Sequence, residues 1–159
     1  MSSLSKERIS IDTNVVVAFI DKQVDDDGVN RHDDVNKILT DAQRGAVDIV
    51  LATMVIAEIG KAKEKSALEY QNDLNTWVTA PYILNWNLTR QIALDSHQFI
   101  CDDGLKPADA VVLSTALYSN SSCLYTYDKK LLRLSNNHTN RNGNKLPIEL
   151  PSAYSGSLF

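Results

Sequence analysis

The sequence predicts an α/β fold with a central, mainly parallel sheet of four to five strands and helices on both faces of that sheet. Three observations predict it. Short apolar runs alternate with segments of helical periodicity along the chain. The segments between the runs are long enough for helical crossovers between parallel strands. A length of 159 residues suits one core, so we expect a single domain over residues 1–159, with 135–159 partly loop and tail.

Five segments have the composition of strands. Each is short, apolar and rich in β-branched or aromatic residues, and the fifth is the weakest of them. The predicted strands are 8–12 (RISID), 47–53 (VDIVLAT), 82–86 (YILNW), 122–126 (SCLYT) and 146–150 (LPIEL).

Helical patterns fill the intervals between these strands. We expect the long third helix to be broken, and Pro107 suits the first turn of the fifth helix. The polar, Asn-rich segment 135–145 is predicted to be a loop, and residues 152–159 are predicted to fray. The predicted helices are about 14–21, 32–44, 54–77, 88–101 and 107–119, with a short one near 129–134.

Composition and charge exclude several classes of protein. The net charge of -4 and the pI near 5.3 argue against a protein that holds nucleic acid through a broad positive field. Apolar stretches fall far short of the roughly 20 residues that cross a bilayer, and the N-terminus has no apolar signal core, so we expect a cytoplasmic protein with no membrane partner. The two cysteines are isolated and the three histidines stand far apart, which indicates neither a zinc site nor a redox pair.

Asp12 ends the first predicted strand, in the stretch ISIDTNV. In open parallel sheets, ligands bind in the crevice beyond the carboxyl ends of the strands, so Asp12 is predicted to face that crevice. The alternative is that Asp12 or Asn14 caps the following helix, since both residue types suit that position. The residue alone does not decide between the two interpretations.

Glu58 lies within the third predicted helix, in the stretch MVIAEIGKAKEK. At helical spacing it shares a face with Met54, Val55 and Ala62, which predicts a carboxylate on an apolar, inward face. Such a carboxylate is unfavourable unless it is paired with a cation or binds a metal ion. A salt bridge at the edge of the core is the simpler alternative.

Asp109 follows the same pattern near the start of the fifth predicted helix. The residues three, four and seven positions further on are Val112, Leu113 and Ala116, so Asp109 is predicted on the buried face. A negative charge near a helix N-terminus is favourable by about 0.3–1 kcal/mol, which explains why an acid is tolerated there. It does not explain why the acid lies on the apolar side.

Asp128 comes just after the fourth predicted strand and just before the short last helix, where capping is again the alternative. All four acids therefore lie at the end of a strand or in the first turns after one, and a parallel sheet brings them to the same edge. Neither His nor Cys adjoins them. A hard, oxygen-ligated divalent cation, Mg²⁺ or Mn²⁺, is the ion that such a set would bind.

The same four stretches, ISIDTNV, VIAEI, LKPADAVVLSTAL and TYDKKL, resemble the four acidic motifs of the PIN-domain nucleases, in order and at comparable separations. The resemblance spans roughly residues 8–134 and is nearest to the small VapC-like ribonuclease toxins of prokaryotic toxin-antitoxin pairs. It implies a compact, three-layer α/β/α domain. The catalytic and metal-binding residues that it implies are Asp12, Glu58, Asp109 and Asp128, with Asn14 and Thr126 as supporting residues.

The resemblance also implies a reaction and partners: a Mg²⁺- or Mn²⁺-dependent endoribonuclease that hydrolyses RNA phosphodiester bonds, acts as a toxin, forms a homodimer and is inhibited by a cognate antitoxin protein. The sequence departs from the family pattern in two ways. Val112 stands where many relatives carry His or another residue, which we expect to be neutral for the chemistry. The chain is longer than the smallest members, mainly through 21–34 and the stretch after Ser135, where specificity could differ.

Basic side chains near the motifs are expected to guide the substrate backbone, because an acidic site in an acidic protein repels RNA. Three of the four motifs have such neighbours, and ordinary solvated helix surface is the alternative for each of them. The candidates are Lys61, Lys63, Lys106, Lys129, Lys130 and Arg133.

Other functions remain open at the level of sequence. One is a non-catalytic PIN-like domain that binds RNA or protein, and another is an RNA-processing nuclease outside any toxin-antitoxin pair. A third is a response-regulator-like α/β domain with Asp12 as a phosphoryl acceptor. Against the third, Asn14 replaces the second acid of a D-x-D pair and no lysine-ended strand is evident.

Overall fold

The computed structural model describes residues 6–24, 28, 30–59 and 66–156. Within them the strands are β1 (Glu7–Ile11), β2 (Val47–Ala52), β3 (Ile83–Trp86), β4 (Leu124–Tyr125) and β5 (Ile148–Glu149). The helices are α1 (Thr13–Ile20), α2 (Arg31–Gln43), α3 (Thr53–Glu58), α4 (Ala67–Thr79), α5 (Arg90–Asp103), α6 (Pro107–Tyr118) and α7 (Lys129–Leu132), followed by a 3₁₀ turn at Pro151–Ala153. None of these helices combines the length and apolar character that crossing a bilayer requires.

The sheet is parallel throughout, in the order β3-β2-β1-β4-β5. Its central strand is β1, where Ser10 pairs with Val50 on one side and with Leu124 on the other. Each predicted strand overlaps an observed one, although β4 and β5 are only two residues long. The predicted α/β fold with a parallel sheet is therefore confirmed, and the carboxyl ends of β1 and β4 lie side by side.

Helices cover both faces of the sheet. The chain moves in one direction from β1 through β2 to β3, and then returns past β1 to form β4. Crossovers between parallel strands are right-handed. The helices that connect β1 to β2 and β2 to β3 therefore lie on one face of the sheet, and those that connect β3 to β4 lie on the other. The packing agrees, because α1 contacts α2 and α4, whereas α5 packs against α6. The largest fully buried side chains of the core include Ile9, Ile49, Leu51, Leu113 and Leu124.

The third predicted helix is two helices, so the expected break is confirmed. The first, α3, ends at Glu58, and the second, α4, begins after Ser66, whose hydroxyl accepts a hydrogen bond of 3.2 Å from the backbone N–H of Glu69. Residues 60–65 lie outside the described part of the chain. The prediction that Glu58 shares a helical face with Ala62 fails, because α3 ends at Glu58.

The C-terminal segment is more ordered than its composition predicts. Segment 135–145 is a loop, as expected, but the Asn140 side chain accepts two backbone hydrogen bonds of 3.0 Å within it. The predicted fraying of 152–159 is wrong as far as Tyr154, because the Tyr154 hydroxyl donates a hydrogen bond of 2.5 Å to Asp41 and its ring packs against the core. The last three residues lie outside the described part of the chain.

Candidate active site

The carboxylate of Asp12 lies at the carboxyl end of β1. The residue is only 3% exposed, and each of its side-chain oxygens has a defined partner. Oδ1 accepts a hydrogen bond of 2.7 Å from the backbone N–H of Thr13, and Oδ2 accepts one of 2.8 Å from the hydroxyl of Thr126. The first bond makes Asp12 the N-cap of α1. Capping and a place at the sheet edge are thus two properties of one residue.

Thr126 joins the ends of β1 and β4. Its buried hydroxyl donates to Asp12 and accepts from the side-chain amide of Asn14 at 3.4 Å and from the backbone N–H of Asp128 at 3.0 Å. Asn14 in turn accepts a hydrogen bond of 3.2 Å from the backbone N–H of Tyr127. The two predicted supporting residues therefore lie between two predicted catalytic acids and fix their relative position.

Asp128 is half-buried and caps the short helix α7. Its Oδ1 accepts a hydrogen bond of 2.8 Å from the backbone N–H of Lys130. The capping alternative is therefore correct for Asp128 as it is for Asp12. One carboxylate oxygen of Asp128 is engaged in this way, and the residue also faces the pocket described below.

The prediction that Glu58 faces inward from an apolar stripe is wrong. Glu58 is the last residue of α3, and its side chain is exposed. It nevertheless reaches the same place, since its Oε1 accepts a hydrogen bond of 2.9 Å from the hydroxyl of Thr13, the residue after Asp12. Glu58 thus lies on the rim of the site, held by the first residue of α1.

Asp109 is the third residue of α6 and is half-buried. The prediction that it lies on the buried stripe of an amphipathic helix is wrong, because every residue from Ala110 to Leu117 is buried and α6 has no solvent face over that length. Pro107 begins the helix, as predicted. Asp109 lies where the first turn of this buried helix opens onto the sheet edge.

All four acids line one open pocket of about 410 Å³ at the carboxyl edge of the sheet. A cavity of about 420 Å³ lies elsewhere, between α2 and the C-terminal segment. The acid that lines this cavity, Asp41, accepts a hydrogen bond from the hydroxyl of Tyr154. The residues lining the acidic pocket are Asp12, Thr13, Asn14, Val17, Gln23, Arg31, Glu58, Asp109 and Asp128.

The four carboxylates interact electrostatically. The pKa of Asp109 is raised to about 6, first by burial, then by the negative charges of Asp12, Asp128 and Glu58, and by a hydrogen bond with Asp128. Burial also raises the pKa of Asp12, although the hydrogen bonds from Thr126 and Thr13 oppose this effect. A pocket in which burial and neighbouring negative charges raise the pKa of both Asp12 and Asp109 favours a bound cation, since a cation stabilises the ionised carboxylates.

The donors in the pocket fit a hard divalent ion. In the part of the chain that the structure describes, no three His, Cys, Asp or Glu side chains form a preformed ligand cluster. The four acidic residues that line the pocket supply oxygen donors, and Mg²⁺ and Mn²⁺ bind through a few carboxylates while keeping several waters. Asp12, Asp109 and Glu58 are therefore the residues that would hold such an ion, with water completing its coordination.

The predicted basic side chains do not line the pocket where they are described. Lys130 donates to the carbonyl of Gly104, and the remaining described candidates, Lys106, Lys129 and Arg133, are exposed outside the pocket lining. Lys61 and Lys63 lie outside the described residues.

Sequence reasoning missed two pocket residues that matter, Thr13 and Arg31. Thr13 could have been found, because it lies inside the first acidic motif. Arg31 begins α2 within the long segment 21–34, and no local pattern relates it to the acids. Only the tertiary structure brings it to them.

Solved structures with the same fold include chains of two toxin-antitoxin complexes. One is VapBC2 from Rickettsia felis bound to a DNA fragment from its promoter, with 19% identity, a TM-score of 0.60, and coverage of 89% of this chain and 98% of that chain. The other is a toxin-antitoxin complex from Klebsiella pneumoniae, with 18% identity, a TM-score of 0.55, and coverage of 77% and 88%. At these identities, the likeness shows the fold.

Family membership rests on a separate comparison. Among curated proteins, none matches the chain significantly. The sequence model of the PIN domain matches residues 9–137, which is most of the chain and includes all four acids of the pocket. The chain therefore belongs to the PIN domain family, the nuclease family whose acidic motifs it resembles.

Proposed function

We propose that this protein is a metal-dependent endoribonuclease that hydrolyses RNA phosphodiester bonds. The observation that carries the proposal is the convergence of Asp12, Glu58, Asp109 and Asp128 on one open pocket, where their charges raise the pKa of Asp109. A pocket of this kind suits a substrate whose own negative charge must be neutralised before water can attack it. Membership of the PIN domain family supports hydrolase chemistry.

The four acidic residues have different roles in the proposed reaction. Asp12, fixed by two hydrogen bonds, and Asp109, fixed on a buried helix, provide rigid oxygen donors, and Glu58 provides a third donor from the rim. A divalent ion supplies positive charge to the phosphate oxygens and lowers the pKa of water at neutral pH. Asp128 would supply an oxygen donor to a second, weaker metal position or orient the attacking water. Because no ribose hydroxyl takes part, the products are a 5'-phosphate and a 3'-hydroxyl.

We further propose that the protein is the cytoplasmic toxin of a toxin-antitoxin pair, neutralised by a cognate antitoxin protein and assembled as a homodimer. Support comes from the fold, which is shared with chains of toxin-antitoxin complexes. Co-expression tests this role. The wild-type chain should arrest bacterial growth, Asp109→Asn should not, and the gene product encoded next to it should restore growth. Growth unaffected by the active nuclease would favour an RNA-processing role instead.

The catalytic proposal is tested by incubating the purified protein with a mixed RNA pool and either Mg²⁺ or Mn²⁺. We expect cleavage that EDTA abolishes, and a loss of about 100-fold or more in Asp109→Asn and Glu58→Gln. Asp48→Asn is the matched control, because it removes one carboxylate from β2, where Asp48 pairs with Lys6 at 3.1 Å outside the acidic pocket.

Two results would contradict the catalytic proposal. Cleavage that survives in Asp109→Asn would show that the acids do not act together. An intact, folded wild-type protein that binds RNA without cutting it under any divalent ion would favour the non-catalytic alternative.

A further inference from the structure

Arg31 places a positive charge in the acidic pocket. It is the first residue of α2, after the N-cap Asn30, and it lines the pocket together with the four carboxylates. None of the described basic residues that adjoin the acidic motifs in sequence reaches this lining. The position of Arg31 beside the acids therefore needs its own explanation.

The guanidinium of Arg31 is held by an aromatic ring rather than by an acid. Its central carbon lies 4.2 Å from the centre of the Tyr127 ring, the residue between Thr126 and Asp128. Its Nε is buried and has no hydrogen-bond partner. Among the described residues, Arg31 forms no salt bridge with the acids of its own pocket.

This arrangement leaves the guanidinium without an acidic partner. A desolvated N–H without a partner costs free energy, although four acidic residues line the same pocket as Arg31. Stacking on Tyr127 instead fixes the plane of the guanidinium while leaving its nitrogen donors unused by the acids. An oxyanion that enters the pocket would find a pre-oriented fork of N–H groups.

We propose that Arg31 binds a phosphate of the RNA backbone and holds it beside the acidic cluster, an inference that rests on the proposed function. The planar guanidinium donates two parallel hydrogen bonds to phosphate oxygens, which a carboxylate-lined pocket cannot do. The contact reads the backbone and not the base, so it should strengthen binding to all RNA sequences by a similar factor.

The test measures RNA binding separately from cleavage. Asp109→Asn protein, which we expect to leave the RNA intact, is titrated in Mg²⁺ with a fluorescent single-stranded RNA at several salt concentrations. Adding Arg31→Gln should weaken binding by about tenfold and reduce the slope of log affinity against log salt by about 0.7, as expected for one lost phosphate contact on a single strand.

Arg141→Gln is the matched control. Arg141 also stacks on a tyrosine, with its guanidinium carbon 4.5 Å from the Tyr118 ring centre, but it lines a different cavity. We expect its affinity and salt slope to equal those of the Asp109→Asn parent. Arg31→Lys keeps the charge and loses the fork, so it should keep the salt slope and bind RNA several-fold more weakly.

The outcomes separate this inference from the proposed function. Arg31→Gln that binds like Arg141→Gln overturns the role of Arg31, even if wild-type protein cleaves RNA. If Arg31→Gln does not fold, an Arg31→Lys protein that binds RNA as tightly as the Asp109→Asn parent overturns the phosphate contact. An Asp109→Asn parent that binds no RNA also overturns it. Wild-type protein that does not cleave RNA refutes the nuclease, whereas Arg31-dependent binding in that case still supports the phosphate contact.

Discussion

Asp12 caps a helix and lines the acidic pocket from one position. Its carboxylate caps α1 through the backbone N–H of Thr13 and accepts a hydrogen bond from the hydroxyl of Thr126, and the residue lines the pocket with three other acids. Burial and the neighbouring charges make the ionised form unfavourable, whereas the two hydrogen bonds favour it. Removing the charge and removing the hydrogen bonds are therefore different experiments.

Comparing Asp12→Ala with Asp12→Asn separates these effects. Both variants remove the charge, but only Asn keeps a side chain that can accept the hydrogen bond from the Thr13 N–H. We expect Asp12→Ala to be less stable than Asp12→Asn by about 1–2 kcal/mol, measured by urea unfolding with EDTA present. Equal free energies of unfolding would show that the cap contributes nothing.

Asp109 should make the stability of the metal-free protein depend on pH. Its folded pKa is about 6, above its ordinary value of 3.8, so folding favours the protonated acid. The stabilising contribution is complete below about pH 4 and is lost as the pH rises through 6. Asparagine mimics the protonated acid and has no such dependence.

The measurement is the difference in free energy of unfolding between wild type and Asp109→Asn, taken from pH 4 to pH 7.5 in EDTA. Wild type should lose about 1–2 kcal/mol relative to the variant over this range, a figure reduced for the screening of a half-exposed group. A constant difference would mean that burial and the neighbouring acids do not raise the pKa of Asp109.

At the scale of elements, the buried helix α6 connects the core to the site. Eight consecutive residues, Ala110 to Leu117, are buried, and Asp109 precedes them directly. A helix buried on all sides is fixed by packing in every direction. The position of Asp109 therefore depends on core residues that never contact a ligand.

Leu113→Ala tests the packing of this helix. Leu113 is fully buried at 0% exposure, so the cavity should cost about 2–5 kcal/mol in thermal or urea unfolding. The same substitution at Leu94, which is 60% exposed on α5, should change stability by less than about 0.5 kcal/mol. Similar losses in the two variants would contradict the described burial.

The elements were largely predictable, and the failures have physical causes. Strands and helices follow from apolar periodicity, since burial selects that pattern. Periodicity cannot show where a helix ends without a strong cap signal. Glu58 was therefore predicted on the inward face of a long helix, although α3 ends at Glu58. Periodicity also gave a wrong prediction for Asp109, because a helix that is buried on all sides has no separate apolar face. Arg31 was missed, because its contact with Tyr127 joins parts of the chain that are distant in sequence.

At the scale of the whole molecule, a negatively charged protein concentrates four acids in one pocket. An ion that binds only the folded pocket stabilises the fold by mass action. Saturating Mg²⁺ should therefore raise the melting temperature of wild type by several degrees, corresponding to about 1–3 kcal/mol. Calorimetry or a fluorescence melt measures this.

The controls for Mg²⁺ binding follow from the sheet. Asp48→Asn should retain the full increase in melting temperature, because Asp48 lies near the amino end of β2. Asp109→Asn and Glu58→Gln should lose most of it. An equal increase in all four proteins would assign the effect to ions bound elsewhere on the surface.

The central place of β1 between β2 and β4 has a consequence for synthesis. The acidic pocket at the end of β1 includes Asp128, and Thr126 orients the Asp12 carboxylate there. Both residues are synthesised long after Asp12. A nascent chain shorter than about 128 residues lacks the last acid and the hydroxyl that orients the first. The acidic pocket therefore forms only after synthesis has passed Asp128.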